Sequence, residues 1–210
     1  MARKKIILAS SSPRRIELLR NLGIPFEAIK PKAEEKIFNT PEKTVLMNAK
    51  AKIYSILDRV KANALIVSAD TVVVVDGEIL GKPQNKDNAF KFLKMLSGKT
   101  HEVYTSIVIY DIEKKIWDYV IVRSLVKFME LSDAEILDYI TTDEPLDKAG
   151  GYGIQDLAGL FVEEIHGDFF AIVGFPLNAF YKLLKRHGMN LLRLTRSSNN
   201  ASNNTASRFT

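Results

Sequence analysis

The sequence predicts an α/β protein with a mixed twisted sheet and flanking helices, and three observations carry that reading. Runs rich in β-branched residues alternate with segments whose apolar residues recur at helical spacing. Two long β-rich segments, Glu102 to Asp111 and Trp117 to Met129, flank the polar Glu113-Lys114-Lys115, a hairpin signal that implies antiparallel pairing. Elsewhere helices separate the strands, as crossovers between parallel strands require. At 210 residues the chain is long enough for a full core, or for two lobes around a cleft.

Lys5 to Ala9 (KIILA) reads as a short buried strand. Ile16, Leu18, Leu19 and Leu22 then recur at helical spacing until Gly23, with Ser12 suited to the N-cap and Pro13 to the first helical position. Phe26 to Lys30 is a second strand. Thr40 and Pro41 open a long helix that buries Val45, Ala49, Ile53, Ile56, Leu57 and Val60. Leu65 to Val75 is the most strand-like run and ends at the turn Asp76-Gly77. Lys86 to Leu96 is helical and stops at Ser97-Gly98, and Ser132 caps a helix through Tyr139. Leu160 to Glu164 and Phe169 to Val173 read as two further short strands before a final helix that begins at Pro176. The domain is expected to span residues 1–194. The polar tail 195–210 has too few apolar residues to bury and is expected to be disordered.

The composition, 46% hydrophobic and 26% charged, is that of an ordinary globular protein. The absence of cysteine excludes disulfides, thiolate catalysis and cysteine-based zinc sites, and His101, His166 and His187 are too scattered for a histidine-rich metal site. No run has the length of a membrane span and no signal peptide opens the chain, so a cytoplasmic location without membrane contact is expected. The net charge of +5 does not argue for nucleic acid: Arg193, Arg196 and Arg208 supply three of those charges in a C-terminal segment free of acidic residues.

Several residues stand out chemically. Leu8-Ala9-Ser10-Ser11-Ser12-Pro13-Arg14-Arg15 places two guanidinium groups in the first turn of a helix, where free N–H groups already favour an anion. Solvated surface charges are the alternative for that motif alone. Asp70 interrupts an apolar strand, on the face shared with Ile66, Ser68 and Val72, and needs a cation, a metal or donors; a structural ion pair would also account for it. Gly81-Lys82-Pro83 would fold Lys82 back toward Asp70, and Lys52 falls on or near the buried face of its helix, where snorkelling is the plain alternative. Glu34 and Glu35 follow Lys30-Pro31-Lys32 in a loop. The span from Asp143 to Gln155 packs four charges and three glycines together, as backbone approaching a ligand would. Neither a Walker loop nor G-x-G-x-x-G is present. Dispersed cations Arg14, Arg15, Lys52 and Lys82 therefore suit a polyphosphate, and Glu34 with Asp70 suits Mg²⁺ or Mn²⁺.

With LASSSPRR, SADTVV, GKP, LSGKTHEVYT, DEPLDKAGGYGIQ and GDFFAIVGFPL in order over residues 5 to 186, the chain resembles the Maf family of nucleoside triphosphate pyrophosphatases. The resemblance implies a two-lobed fold akin to the inosine triphosphate pyrophosphatases. It also implies metal-assisted hydrolysis between the α and β phosphates, giving a nucleoside monophosphate and pyrophosphate. It makes Asp70 the proton acceptor and places Ser10, Arg15, Glu34, Lys52 and Lys82 in the polar site. Arg14, Thr71 and Gln155 fall on the positions that separate subfamilies and read as in the dTTP/UTP branch, with Thr71 and Gln155 expected to read the base. The alternatives are 7-methyl-GTP hydrolysis and a non-catalytic regulator of septum formation acting through a partner. The nucleotide is the expected partner, nucleic acid is not, and a homodimer is admitted. The chain departs from the family at Ser106, where many members have glycine, and at Phe175, which replaces the usual leucine.

Overall fold

The computed structural model describes residues 4–60, 63–142 and 144–194, so the tail read as disordered lies outside it. One seven-stranded sheet organises the chain. Its elements run β1 (Lys5–Ala9), α1 (Pro13–Asn21), β2 (Glu27–Ile29), α2 (Pro41–Tyr54), β3 (Ala64–Val75), β4 (Glu78–Leu80), α3 (Lys86–Leu96), β5 (Thr100–Asp111), β6 (Ile116–Phe128), α4 (Asp133–Thr141), β7 (Val162–His166), α5 (Phe169–Val173) and α6 (Leu177–Arg186). The strand order is β2-β1-β3-β5-β6-β7, with β4 attached to β3. β1 lies parallel to β2 and β3, and the remaining pairs are antiparallel, so the sheet is mixed as the sequence predicts. Among the described residues no helix is long and apolar enough to cross a membrane.

The structure corrects four local expectations. Phe169–Val173 is helix rather than strand: Asp168 Oδ1 accepts the Phe170 and Ala171 N–H groups, and Gly174 closes the turn in the left-handed region at φ 105°. An apolar run as short as FFAIV carries no decisive period, and its caps settle the matter. The strand expected from Leu160 starts only at Val162, after a 3₁₀ turn over Leu157–Phe161. The helix expected to reach Val60 ends at Tyr54, followed by a 3₁₀ turn over Leu57–Arg59. β4, unforeseen, returns from Asp76 and Gly77, whose φ values of 51° and 81° suit a two-residue hairpin turn.

Three apolar clusters divide the molecule into two lobes. Leu8, Leu65, Val67 and Ile107 pack one face of the sheet under Leu19 of α1 and Phe180 and Leu184 of α6. Ile7, Ile66 and Val108 pack the opposite face under Ala49 and Ile53 of α2. The second lobe gathers Val73, Val103, Val126 and Phe128 with Leu93 of α3 and Ile136 of α4. β3 and β5, at about 3.3 Å per residue, are long enough to serve both lobes. Polar stitches fix how α2 lies on the sheet. Ser68 Oγ donates to the Ala49 carbonyl and Ser106 Oγ to the Val45 carbonyl, each at 2.7 Å.

The glycine-rich segment closes the second lobe against β3. Gly150 adopts φ 68°, its N–H donates to the Gly81 carbonyl, and a Cβ there would sit 2.8 Å from Val73 Cγ2. Gly150→Ala meets both an unfavourable backbone region and a wall of side chain. It should destabilise the protein by about 1–3 kcal/mol, read from urea unfolding.

Candidate active site

The site lies where β3 loses a neighbour. On the edge opposite β5, β1 pairs with β3 only as far as Val67 and β4 only from Val73 onward. Ser68 to Val72 therefore border an open cleft between the lobes, and side chains from both faces of the strand reach it. Ser10, Arg14, Arg15, Lys52, Asp70, Thr71, Lys82 and Gln155 all line this cleft. Eight of the nine residues singled out in the sequence thus converge. Glu34 does not: it is exposed and outside the lining, and its neighbour Glu35 takes the place expected of it. A loop position has no periodicity to show which of two adjacent glutamates turns inward.

A chain of alternating charges forms the floor. Asp70 is 3% exposed, and its Oδ1 meets Lys52 Nζ at 2.5 Å. The same ammonium bonds Glu35 Oε1 at 2.8 Å, and Glu35 Oε2 bonds Lys82 Nζ at 2.8 Å. Lys52 also donates to the Ala69 carbonyl. Burial pushes the Asp70 carboxyl above the usual carboxylate range and Glu35 adds to the push, while Lys52 and Arg15 oppose it. Partial burial alone would raise Glu35 as well, but Lys52 and Lys82 outweigh it and bring that carboxyl down to about 2. The two carboxylates thus shift in opposite senses about one ammonium, because Asp70 is the more deeply buried and Glu35 faces two lysines.

The arginine-bearing wall begins at α1. Ser12 occupies the N-cap position but its hydroxyl makes no cap bond, contrary to the expected capping, and no acidic side chain lies in the first turn. The Ser10 hydroxyl instead accepts the Ser12 N–H. Arg15 is tied down: Nε donates to the Gly174 carbonyl at 2.8 Å and Nη2 to Thr71 Oγ1 at 3.2 Å. Thr105 Oγ1 donates to the Ala171 carbonyl, so the Thr71 hydroxyl must give its own proton to Thr105. Thr71 thus spends its single proton on Thr105 and one lone pair on Arg15. Arg14 lies 3.7 Å from Asp156, and Gln155 beside it is exposed to the cleft.

A divalent metal is compatible with this donor set in one particular way. Among the described residues no group of three or more histidine or acidic side chains converges. Glu35 and Asp70, joined through Lys52, offer two carboxylates, the number Mg²⁺ uses when substrate phosphates complete its shell. The sequence reading overlooked Asn48, which contacts Asp70, whereas Lys148 and Tyr152, which line the cleft, fall within the Asp143–Gln155 span it marked as approaching a ligand. Asn48 was open to discovery, since it precedes Lys52 by four residues on the same helix face.

Glu35 should give a distinct acid response. A carboxyl lowered to about 2 from an ordinary 4.5 stabilises the fold above pH 4.5, and that contribution disappears as pH falls toward 2. Over that window the urea midpoint of the wild type should fall more steeply than that of Glu35→Gln, and parallel curves would contradict the ion chain.

Comparison with known proteins identifies the family. The family model described as Maf-like protein matches residues 5–187. A dTTP/UTP pyrophosphatase of Clostridium tetani is 47% identical over 189 residues, covering 88% of this chain and 98% of that protein. The dTTP/UTP pyrophosphatase of Thermotoga maritima is 46% identical over 185 residues, covering 88% and 90% respectively. Among solved structures, the Staphylococcus aureus Ham1 protein aligns with a TM-score of 0.44 and 14% identity over 60% of this chain and 72% of that one. A family match over nearly the whole folded region, together with relatives of such identity and coverage, means that this chain belongs to the Maf family.

Proposed function

We propose that the protein hydrolyses dTTP and UTP to the nucleoside monophosphate and pyrophosphate. The observation that carries the reading is Asp70, a carboxylate buried in the middle of an apolar strand at the floor of a cleft lined by Arg14, Arg15, Lys52 and Lys82. The names borne by the similar Clostridium and Thermotoga proteins support the substrate class.

In this reading the four cations neutralise the triphosphate. Water attacks at the α–β phosphoanhydride, the bridging P–O bond breaks, pyrophosphate departs, and Asp70 takes the water's proton. Charge accumulates on the phosphoryl oxygens and the leaving group, so cations already held in place by Glu35, Gly174 and Thr71 act without reorganising. Glu35 and Asp70 would hold the Mg²⁺ or Mn²⁺, which supplies further charge neutralisation when bound. Gln155 reads the base, its amide pairing with both a carbonyl and a ring N–H of a pyrimidine, while Thr71 influences substrate choice through the placement of Arg15. The protein acts in the cytoplasm on free nucleotides rather than on nucleic acid, with residues 1–194 as the catalytic domain.

Asp70→Asn should abolish pyrophosphate release while the circular dichroism and cooperative melting persist, because an amide cannot accept the proton. Turnover within a few-fold of the wild type would refute the role of Asp70.

A panel of nucleoside triphosphates assayed with Mg²⁺ and Mn²⁺ tests the rest. dTTP and UTP should lead ATP, GTP and 7-methyl-GTP, with pyrophosphate rather than orthophosphate as product. Gln155→Glu should erode that preference by about ten- to a hundredfold, the scale of leaving a buried polar group unpaired against the base. A preference for 7-methyl-GTP would overturn the substrate assignment and leave the reaction type standing.

A further inference from the structure

Asn48 lies one turn before Lys52 on the face of α2 that meets β3, and it is buried. Its side-chain amide makes three hydrogen bonds. Oδ1 accepts the Lys36 N–H at 2.9 Å, and Nδ2 donates to the Lys36 carbonyl at 3.1 Å and to Asp70 Oδ2 at 3.0 Å. The partners dictate which end of the amide is which, since an N–H can meet only the oxygen, and a carbonyl and a carboxylate only the NH₂. A flipped amide would set like against like at all three.

The position of this clamp matters more than its bond count. Lys36 adjoins Glu35, which bridges Lys52 and Lys82. One turn earlier on α2, Thr44 Oγ1 accepts the Phe38 N–H at 2.9 Å and donates to the Thr40 carbonyl. The loop after β2 is thereby fastened to α2 at Lys36 and Phe38, and Glu35 has little choice of place. With Oδ1 on Lys52 and Oδ2 on Asn48, the plane of the Asp70 carboxylate is also fixed, and each oxygen keeps a lone pair for another partner.

We propose that Asn48 is a positioning residue for the hydrolysis: one buried amide holds the Asp70 carboxylate and the Glu35 loop in a single register. The proposal rests on the hydrolase reading above. Other side chains do not reproduce it. Aspartate keeps the acceptor for Lys36 but lacks both donors and faces Asp70 with like charge, and alanine keeps none of the three bonds.

The test uses the full-length wild type, Asn48→Ala and Asn48→Asp, with UTP turnover, melting temperature and hydrogen exchange at the Lys36 amide. Asn48→Ala should lower kcat by about 10- to 100-fold, the effect of displacing a reacting group by roughly an ångström. KM should change little, because Arg14 and Arg15 are held independently of the Glu35 loop, by Asp156, Gly174 and Thr71. Asn48→Asp should lose as much kcat, yet retain the protection of the Lys36 amide that Asn48→Ala loses. A lowered melting temperature with kcat intact, or a raised KM with kcat intact, would overturn the proposal in favour of a merely structural amide. Should either variant fail to fold, Asn48→Ser is read by the same criteria. A wild type that releases no pyrophosphate from any nucleoside triphosphate refutes the hydrolase reading instead. In that event Lys36 exchange still judges the clamp, and unchanged protection in Asn48→Ala removes it.

Discussion

The contact between Asp70 and Lys52 is the constraint around which the molecule is arranged. Each charge taken alone into the interior costs several kcal/mol, and removal of one partner from such a pair commonly destabilises by about 3–5 kcal/mol because the other is left buried and uncompensated. A pair of well-packed apolar residues would serve the fold at least as well. Asp70 and Lys52 are nearly inaccessible, yet the carboxylate borders the one stretch of β3 that lacks a neighbour on its first edge among the described residues. Stability alone gives no reason to place a charge there. Glu35 and Lys82 extend the pair outward, so that the charges alternate from the buried floor to the half-exposed rim.

Topology supplies the opening that this arrangement needs. β1 is short because Ser10-Ser11-Ser12-Pro13 turns the chain into α1, and β4 is short because it only begins to return along β3. Their lengths leave the middle of β3 unpaired on that edge while β5 covers the other throughout. Backbone and side chains from both faces of one strand can then border the same cleft, which an interior strand paired on both edges does not permit. The hydroxyls of Ser68 and Ser106 complete the geometry by fixing α2 along its length, and with it the turn that carries Asn48 and Lys52.

What could be read from the sequence follows from where periodicity holds. The strand Lys5–Ala9 and the helix Lys86–Leu96 are found at the predicted bounds, and the long hairpin strands lie within two residues of them, since each has enough length for its pattern to speak. The segment Phe169–Val173 was misread because five apolar residues fit a strand or a buried helix equally well, and only the Asp168 and Gly174 caps distinguish them. The candidate site was legible wherever a charge broke an apolar pattern, as at Asp70 and Lys52. It was illegible where selection among neighbours depends on tertiary contact. Glu34 and Glu35 are indistinguishable in sequence, and the Asn48 amide alongside them selects the loop register that turns Glu35 toward the lysines.

On the other wall of the cleft, one backbone carbonyl fixes the direction of a whole series of hydrogen bonds. The Thr105 hydroxyl has a single proton, and the Ala171 carbonyl takes it. Thr71 must then donate to Thr105, which leaves its lone pairs to receive Arg15. The direction of every bond in the series from Arg15 to α5 is therefore set by one carbonyl that can only accept. A side chain at position 71 that cannot donate would leave Thr105 with an unfilled lone pair, and one that cannot accept would release Arg15 on that side. Arg15 retains its bond to the Gly174 carbonyl in either case, so its guanidinium would pivot rather than detach. A change at position 71 thus moves the Arg15 charge relative to Gln155 on the cleft wall, and in the proposed reaction it would move the phosphates, and with them the base, against that amide.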